Sequence, residues 1–219
     1  MSFAAVIFDL DGTLIERTQD IDAVYEAAFE RVGVEPFADP PALWQTLDGP
    51  PDPDDQTGYL GTGFARLAAQ HDRDVDPLAL AAAFVEGIDD RQVRLRPGAG
   101  RALVSARRAG AVALLTNGPE HRQAPKVDAT DLADRVDSVV YAGDMPRRKP
   151  HTAPFDATLE TLGVSADRAL YVGDSLAYDV AGAHNAGLAA VYLDDGDGPA
   201  PYHPEYVLES LDDLPGILA

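Results

Sequence analysis

The sequence predicts an α/β protein: a doubly wound parallel sheet with a helical segment inserted after its first strand. Three observations carry this expectation. Short, nearly continuous apolar runs recur along the chain, as parallel strands require when helices cover both of their faces. Between the runs lie stretches of helical apolar spacing that stop at a glycine, the residue best suited to end a helix. One long block near the N-terminus has helical spacing throughout and no strand-like run.

In order along the chain, the strand-like runs are Ala4 to Phe8, Ala111 to Leu115, Ser138 to Tyr141, Ala169 to Val172 and Leu188 to Leu193. The helical stretches are Ala99 to Ala109 before Gly110, a helix opening at Pro119 after Asn117-Gly118, Ala153 to Leu162 before Gly163, and Leu176 to Ala186 before Gly187. Strands alternating with helices at this spacing call for right-handed crossovers, hence a Rossmann-like core built from residues 1–15 and 96–219. From Glu16 to Arg94 no strand is expected. There Ile21, Val24, Tyr25, Ala28 and Phe29, then Phe64, Leu67 and Ala68, then Leu78, Ala82, Phe84 and Val85 recur at helical spacing. This insertion, residues 16–95, opens near Leu14-Ile15-Glu16-Arg17, closes at Arg96-Pro97-Gly98 and holds a turn-rich loop from Asp48 to Asp55. A helical insertion beside a sheet edge reads as a cap that governs access and excludes water.

At 219 residues the chain is long enough for one core with an inserted subdomain. Its 46% hydrophobic and 25% charged residues exclude a disordered chain, a collagen-like repeat and a disulfide mini-protein. No apolar run approaches the roughly 20 residues of a membrane-spanning helix. The N-terminus lacks the basic region of a signal peptide, and there is no cysteine, so a cytoplasmic location is expected. A formal net charge of -20 repels polyanions, which argues against nucleic acid and anionic membranes as partners. The acidic residues are 28 Asp and 9 Glu against 15 Arg and 2 Lys, a bias that resembles cytosolic proteins of salt-accumulating organisms. Aspartates in motif positions are therefore weak signals here. Lys126 and Lys149, the two lysines, are strong ones.

The chemistry concentrates at the ends of the expected strands. Phe8-Asp9-Leu10-Asp11-Gly12-Thr13 follows the first strand, and the period-two alternation of side chains points Asp9 and Asp11 the same way. The second strand ends in Thr116-Asn117-Gly118, a hydroxyl and an amide ahead of a helix start, which offer donors to an anionic oxygen. Arg147-Arg148-Lys149-Pro150 follows the third strand, and Gly173-Asp174-Ser175 with Asp179 follows the fourth. Each set read by itself has an ordinary explanation as a turn, a cap or a surface charge. All four lie at the C-terminal edge of one sheet, the usual ligand crevice of doubly wound folds.

These four motifs, in this order, resemble those of the haloacid dehalogenase-like hydrolase superfamily: Asp9 and Asp11, Thr116, Lys149, and Asp174 with Asp179. Leu115-Thr-Asn-Gly-Pro119 is similar to its second motif, Val172-Gly-Asp-Ser-Leu176 to its fourth, and the helical insertion to members carrying a cap after the first motif. The resemblance implies a Mg²⁺-dependent phosphatase acting on a small phosphorylated metabolite. Asp9 would be the nucleophile that forms an aspartyl-phosphate, and Asp11 the general acid and then base. Thr116, Asn117 and Lys149 would bind the phosphoryl group. The metal would be held by Asp9 and Asp174 and by the Asp11 carbonyl, with Asp179 orienting Lys149 or a metal-bound water.

A phosphomutase of the same superfamily would use the same machinery. A dehalogenase would need neither a leaving-group acid nor a metal, so Asp11 and Asp174 argue against it. A receiver domain also gathers acids, Thr and Lys around Mg²⁺, but it has its phosphorylated Asp on a later strand and no cap. In the insertion, Arg17, Trp44, Tyr59 and Arg66 are the possible substrate contacts, with packing the plainer role for Trp44 and solvation for the arginines. The five histidines show no metal-ligand spacing.

Overall fold

The structure, a computed structural model, describes residues 3–48, 55–196 and 198–219. In chain order its main elements are β1 (Ala5–Phe8), β2 (Ile15–Arg17), α1 (Ile21–Val32), α2 (Pro40–Gln45), α3 (Gln56–Gln70), α4 (Pro77–Gly87), β3 (Val93–Leu95), α5 (Ala99–Ala109) and β4 (Ala111–Thr116). There follow α6 (Glu120–Ala129), β5 (Ser138–Tyr141), α7 (Thr152–Leu162), β6 (Ala169–Gly173), a π-helical turn (Leu176–Val180) leading into α8 (Ala181–Asn185), β7 (Ala189–Leu193), β8 (Tyr206–Leu208) and α9 (Leu214–Leu218).

Six strands form one parallel sheet in the order β5-β4-β1-β6-β7-β8. The chain builds outward from β1 to β4 and β5, then crosses back to β6 and builds outward the other way. That reversal beside β1 is the switch point at which doubly wound sheets bind ligands. Side-chain alternation sorts the strands into two cores. Val6, Phe8, Val112, Leu114, Leu170 and Val172 pack on one face with Ala102 and Leu103 of α5. Ala5, Ile7, Ala113, Leu115 and Tyr171 pack on the other with Phe155 of α7 and Ala183 of α8. With helices on both faces, the strands read as continuous apolar runs instead of alternating ones.

Three strands depart from the sequence expectation. β2 and β3 pair antiparallel, Ile15 with Leu95 and Arg17 with Val93, inside the stretch expected to hold no strand. At three residues each they are too short to show a period. β8 is likewise three residues long, lies at the sheet edge and exposes Tyr206 and Val207, so it leaves no apolar run. The expected helix from Leu176 is a π turn before it becomes α-helical.

The chain divides into two compact units, residues 1–18 with 90–219, and residues 19–89. Residues 16–18 and 90–95, assigned to the insertion by the sequence, go with the first unit: β2 and β3 pair with each other, and Ile15, Val93 and Leu95 pack into the core of the sheet. The second unit is helical. Val24, Tyr25, Ala28 and Phe29 of α1 meet Leu60, Phe64 and Leu67 of α3 and Leu80, Ala81 and Phe84 of α4 in one core. Aspartates cap its helices: Asp20 accepts from the amides of Asp22 and Ala23, Asp55 from Gly58, and Asp76 from Leu78 and Ala79. Most of the loop expected between Asp48 and Asp55, residues 49–54, lies outside the described residues. Among the described residues no helix is long and apolar enough to cross a membrane.

Candidate active site

β1 lies centrally in the sheet, between β4 and β6, so the residue leaving its C-terminal end is flanked by the ends of both neighbours. Asp9 is that residue. Its amide donates to the carbonyl of Val172 at 2.9 Å, continuing the ladder one step past the strand. Gly12 turns the chain beside it, and two facts make glycine necessary. Its φ of +78° is left-handed, and a Cβ there would stand 2.2 Å from a carboxylate oxygen of Asp174. The close approach lets the Thr13 hydroxyl donate to Asp174 Oδ1 at 2.9 Å.

Lys149 organises the centre. Its buried ammonium donates to Asp9 Oδ1 and Asp179 Oδ1, both at 2.7 Å, and lies 2.8 Å from Tyr171 Oη and 3.2 Å from the carbonyl of Leu115. A compact ammonium with three rotatable donors suits such a ring of acceptors, which a planar guanidinium would not. Asn117 fixes the backbone of Lys149: the Lys149 amide donates to its Oδ1 at 2.9 Å, and its Nδ2 donates to the Lys149 carbonyl at 3.1 Å. The side-chain amide expected to meet phosphate is thus committed to placing Lys149. Thr116 is buried, its hydroxyl accepting from the Gly118 amide at 3.3 Å. Asp179 is brought in by the π turn, where its amide donates to the Ser175 carbonyl and its Oδ2 accepts from the Ser175 amide at 2.9 Å. π turns recur at functional sites.

Asp9, Asp174 and Asp179 place carboxylate oxygens within 4.8 Å of one another. Against these three carboxylates stands one ammonium, so the ionised centre carries an excess of two negative charges. Burial pushes the Asp9 carboxyl up to about 8 against the pull of Lys149, and the charges of Asp179 and Asp174 add to the rise. Burial and the Asp179 charge likewise raise Asp174. Burial opposes the charge on Lys149, but its two carboxylate partners prevail and hold it protonated. An all-oxygen donor set with a charge of minus two matches a hard divalent cation.

Asp11 stands apart from this cluster. Lys126 Nζ donates to both of its carboxylate oxygens at 2.9 Å, and Gln123 Nε2 donates to Oδ2 at 2.9 Å. The Asp11 side chain is thus held by α6 and is not among the three carboxylates that cluster.

Tyr171 and Gln123 carry no signal in the sequence, and Thr13 and Lys126 stand out there without a role. Tyr171 is hidden in the apolar run of β6. For Lys126 the signal was its rarity, as one of two lysines. Of the substrate contacts considered in the sequence, Arg17 pairs with Asp90 at 3.3 Å. Arg66 binds the Thr46 carbonyl and pairs with Asp48, each within 2.7 Å. These two arginines are ion-paired, not simply solvated. Asp90 also forks onto Arg122; burial alone would raise its carboxyl, but Arg122, Lys126 and Arg17 outweigh burial and lower it. Trp44 packs edge-on against Phe84 and stays half exposed.

Comparison with known proteins identifies the family. Residues 3–187 match the family described as haloacid dehalogenase-like hydrolase. A phosphoglycolate phosphatase of Cereibacter sphaeroides is 31% identical, the alignment covering 97% of this chain and 96% of that protein. One of Rhodospirillum rubrum is 32% identical over 96% of this chain and 87% of that protein. A HAD-hydrolase of Bacillus subtilis solved bound to magnesium shares the fold, with a TM-score of 0.74 at 21% identity, covering 100% of this chain and 99% of that one. Sheet, motifs and relatives agree: the chain belongs to the haloacid dehalogenase-like hydrolase family and is an enzyme of its phosphatase type.

Proposed function

We propose that this enzyme hydrolyses the phosphate monoester of a small metabolite, with Mg²⁺ and through an aspartyl-phosphate on Asp9, residues 19–89 serving as its cap. The observation that carries the reading is Lys149 bridging Asp9 and Asp179 at 2.7 Å within a trio of carboxylates. A carboxylate approaching a phosphate dianion at ~4 Å meets about 4 kcal/mol of repulsion per charge pair at an effective dielectric near 20, so positive charge must be supplied. Asp9, Asp174 and the Asp11 carbonyl would hold the ion, which neutralises the phosphoryl oxygens when bound.

The residues of the chain do the rest. Lys149 holds Asp9 by Oδ1 and leaves Oδ2, which no described donor occupies, for attack on phosphorus. As the Asp9 Oδ2–P bond forms, the P–O bond to the leaving group breaks, and the alkoxide takes the proton of the Asp11 carboxyl. Asp11, now a base, takes a proton from water. The hydroxide attacks phosphorus, the P–O bond to Asp9 breaks, and inorganic phosphate leaves with Asp9 regenerated. Thr116 and its adjoining amides hold the phosphoryl oxygens, and Asn117 keeps Lys149 in register. The relatives' names make 2-phosphoglycolate the first substrate to try.

The test is phosphate release from a panel of monoesters that includes 2-phosphoglycolate, with Mg²⁺ and with EDTA. Turnover with Mg²⁺ and a loss of about 10³-fold or more with EDTA are expected, since the bound ion stabilises several kcal/mol of transition-state charge. Hydrolysis indifferent to EDTA, or no hydrolysis of any ester in the panel, would overturn the reading.

A further inference from the structure

Asp11 is the one acid of the first motif whose carboxylate turns away from the Lys149 cluster. An ionised carboxylate offers about four lone-pair sites on its two oxygens. Three are taken: Lys126 Nζ occupies one on Oδ1 and one on Oδ2, and Gln123 Nε2 occupies the second on Oδ2. Among the described residues, one site remains without a donor, on Oδ1.

The donors are built in, not adventitious. Gln123 and Lys126 lie three residues apart on α6, so they share a face of the helix. Both are buried, whereas the Asp11 side chain is 47% exposed. The Gln123 amide reaches Asp11 across Gly118, where a Cβ would stand 1.9 Å from Nε2. Its other end, Oε1, is buried without a partner among the described residues. An orphaned buried carbonyl costs about 1–3 kcal/mol, so the amide is held in this orientation at the expense of its own satisfaction. Lys126 is one of two lysines in 219 residues; the other holds the nucleophile.

We propose that Lys126 and Gln123 are positioning residues that lock the Asp11 carboxylate so that only Oδ1 is left to meet the leaving oxygen and the attacking water. The inference rests on the acid–base reading of Asp11 given above. Both donors act through Asp11 and need not touch the substrate. A carboxylate free to rotate would have to find its direction at each turnover, so their loss falls on the chemical step and not on substrate binding.

The test is a double-mutant cycle on the Mg²⁺-loaded enzyme with 2-phosphoglycolate, using Lys126→Met, Asp11→Asn and the pair. Lys126→Met in the wild-type background is expected to lower kcat by about 10²-fold while KM moves less than about threefold, within the range that general acid–base catalysis supplies. In the Asp11→Asn background it is expected to change kcat less than about twofold, because nothing remains to be positioned. Gln123→Ala, which uncovers no buried charge, is expected to act in the same direction and to vanish in the same background; it serves if Lys126→Met does not fold. Equal losses in both backgrounds, or no loss in the wild-type background, would overturn the positioning role. If Asp11→Asn itself kept wild-type kcat, the acid–base reading would fall instead, so the two failures are distinguishable.

Discussion

Lys149→Met is expected to abolish turnover and to lower stability by about 3–5 kcal/mol, the usual cost of stripping a partner from a buried ion pair. In a chain of this size that is a fall in Tm on the order of 10 °C. Met keeps the length and the apolar stem of lysine, so the lost ammonium accounts for the change, not a cavity. Three carboxylates and the Tyr171 hydroxyl would then face one another without a cation. The deficit has a direction in pH. Carboxyls crowded in this way have raised folded values, so the variant binds more protons folded than unfolded and loses stability as pH rises. In wild type the raised Lys149 adds stability that is intact below the ordinary lysine value, so the neutral range is unaffected by it. Melting both proteins at pH 5 and pH 8 should show the gap widening toward pH 8. A gap that is constant or that narrows would mean the ammonium does not compensate these acids.

Asp9→Asn is expected to do something different: remove activity by about 10⁴-fold or more, as nucleophile deletions do, while making the metal-free protein more stable at pH 8. The sign follows from the burial that pushes Asp9 up to about 8. Between the unfolded carboxyl value, near 4, and about 8, the folded state holds a proton that the unfolded state has released. Stability therefore declines across that window in wild type. Asparagine has no proton to lose, so that part of the decline disappears. In EDTA, the variant should match wild type near pH 5 and melt several degrees higher at pH 8. A variant that melts lower at both pH values would show that the Lys149–Asp9 contact outweighs the crowding of charge.

Four strands of the sheet, β1, β4, β6 and β7, were legible because they are buried on both faces, which writes an apolar run into the sequence at each; β5, a partly buried edge strand, was legible through its Val-Val-Tyr run of strand-forming residues. β8 was not, since an edge strand with Tyr206 and Val207 exposed has no such run. β2 and β3 were hidden by their length. For the site, Asp9, Lys149, Asp174 and Asp179 were readable because each follows a strand end, and a parallel sheet brings strand ends together. What could not be read was direction. Asp9 and Asp11 share a strand parity, yet one faces Lys149 and the other α6; that depends on where Gln123 and Lys126 fall on a helix more than 100 residues later, as the separation of 115 between Asp11 and Lys126 shows. Tyr171 was invisible for a related reason. A tyrosine in a buried strand looks like any other apolar residue until its hydroxyl is found against Lys149 and Asp179.

Both lysines are buried to within 5% of full enclosure, and both are ion-paired. The surface of the folded chain therefore presents guanidinium groups but no accessible ε-amine. Reagents that acylate lysine find no exposed ε-amine on the native protein, and both sites become available when it opens. Uptake of the label would report how often the molecule visits unfolded states, read at two amines that each guard one of the paired aspartates of the first motif.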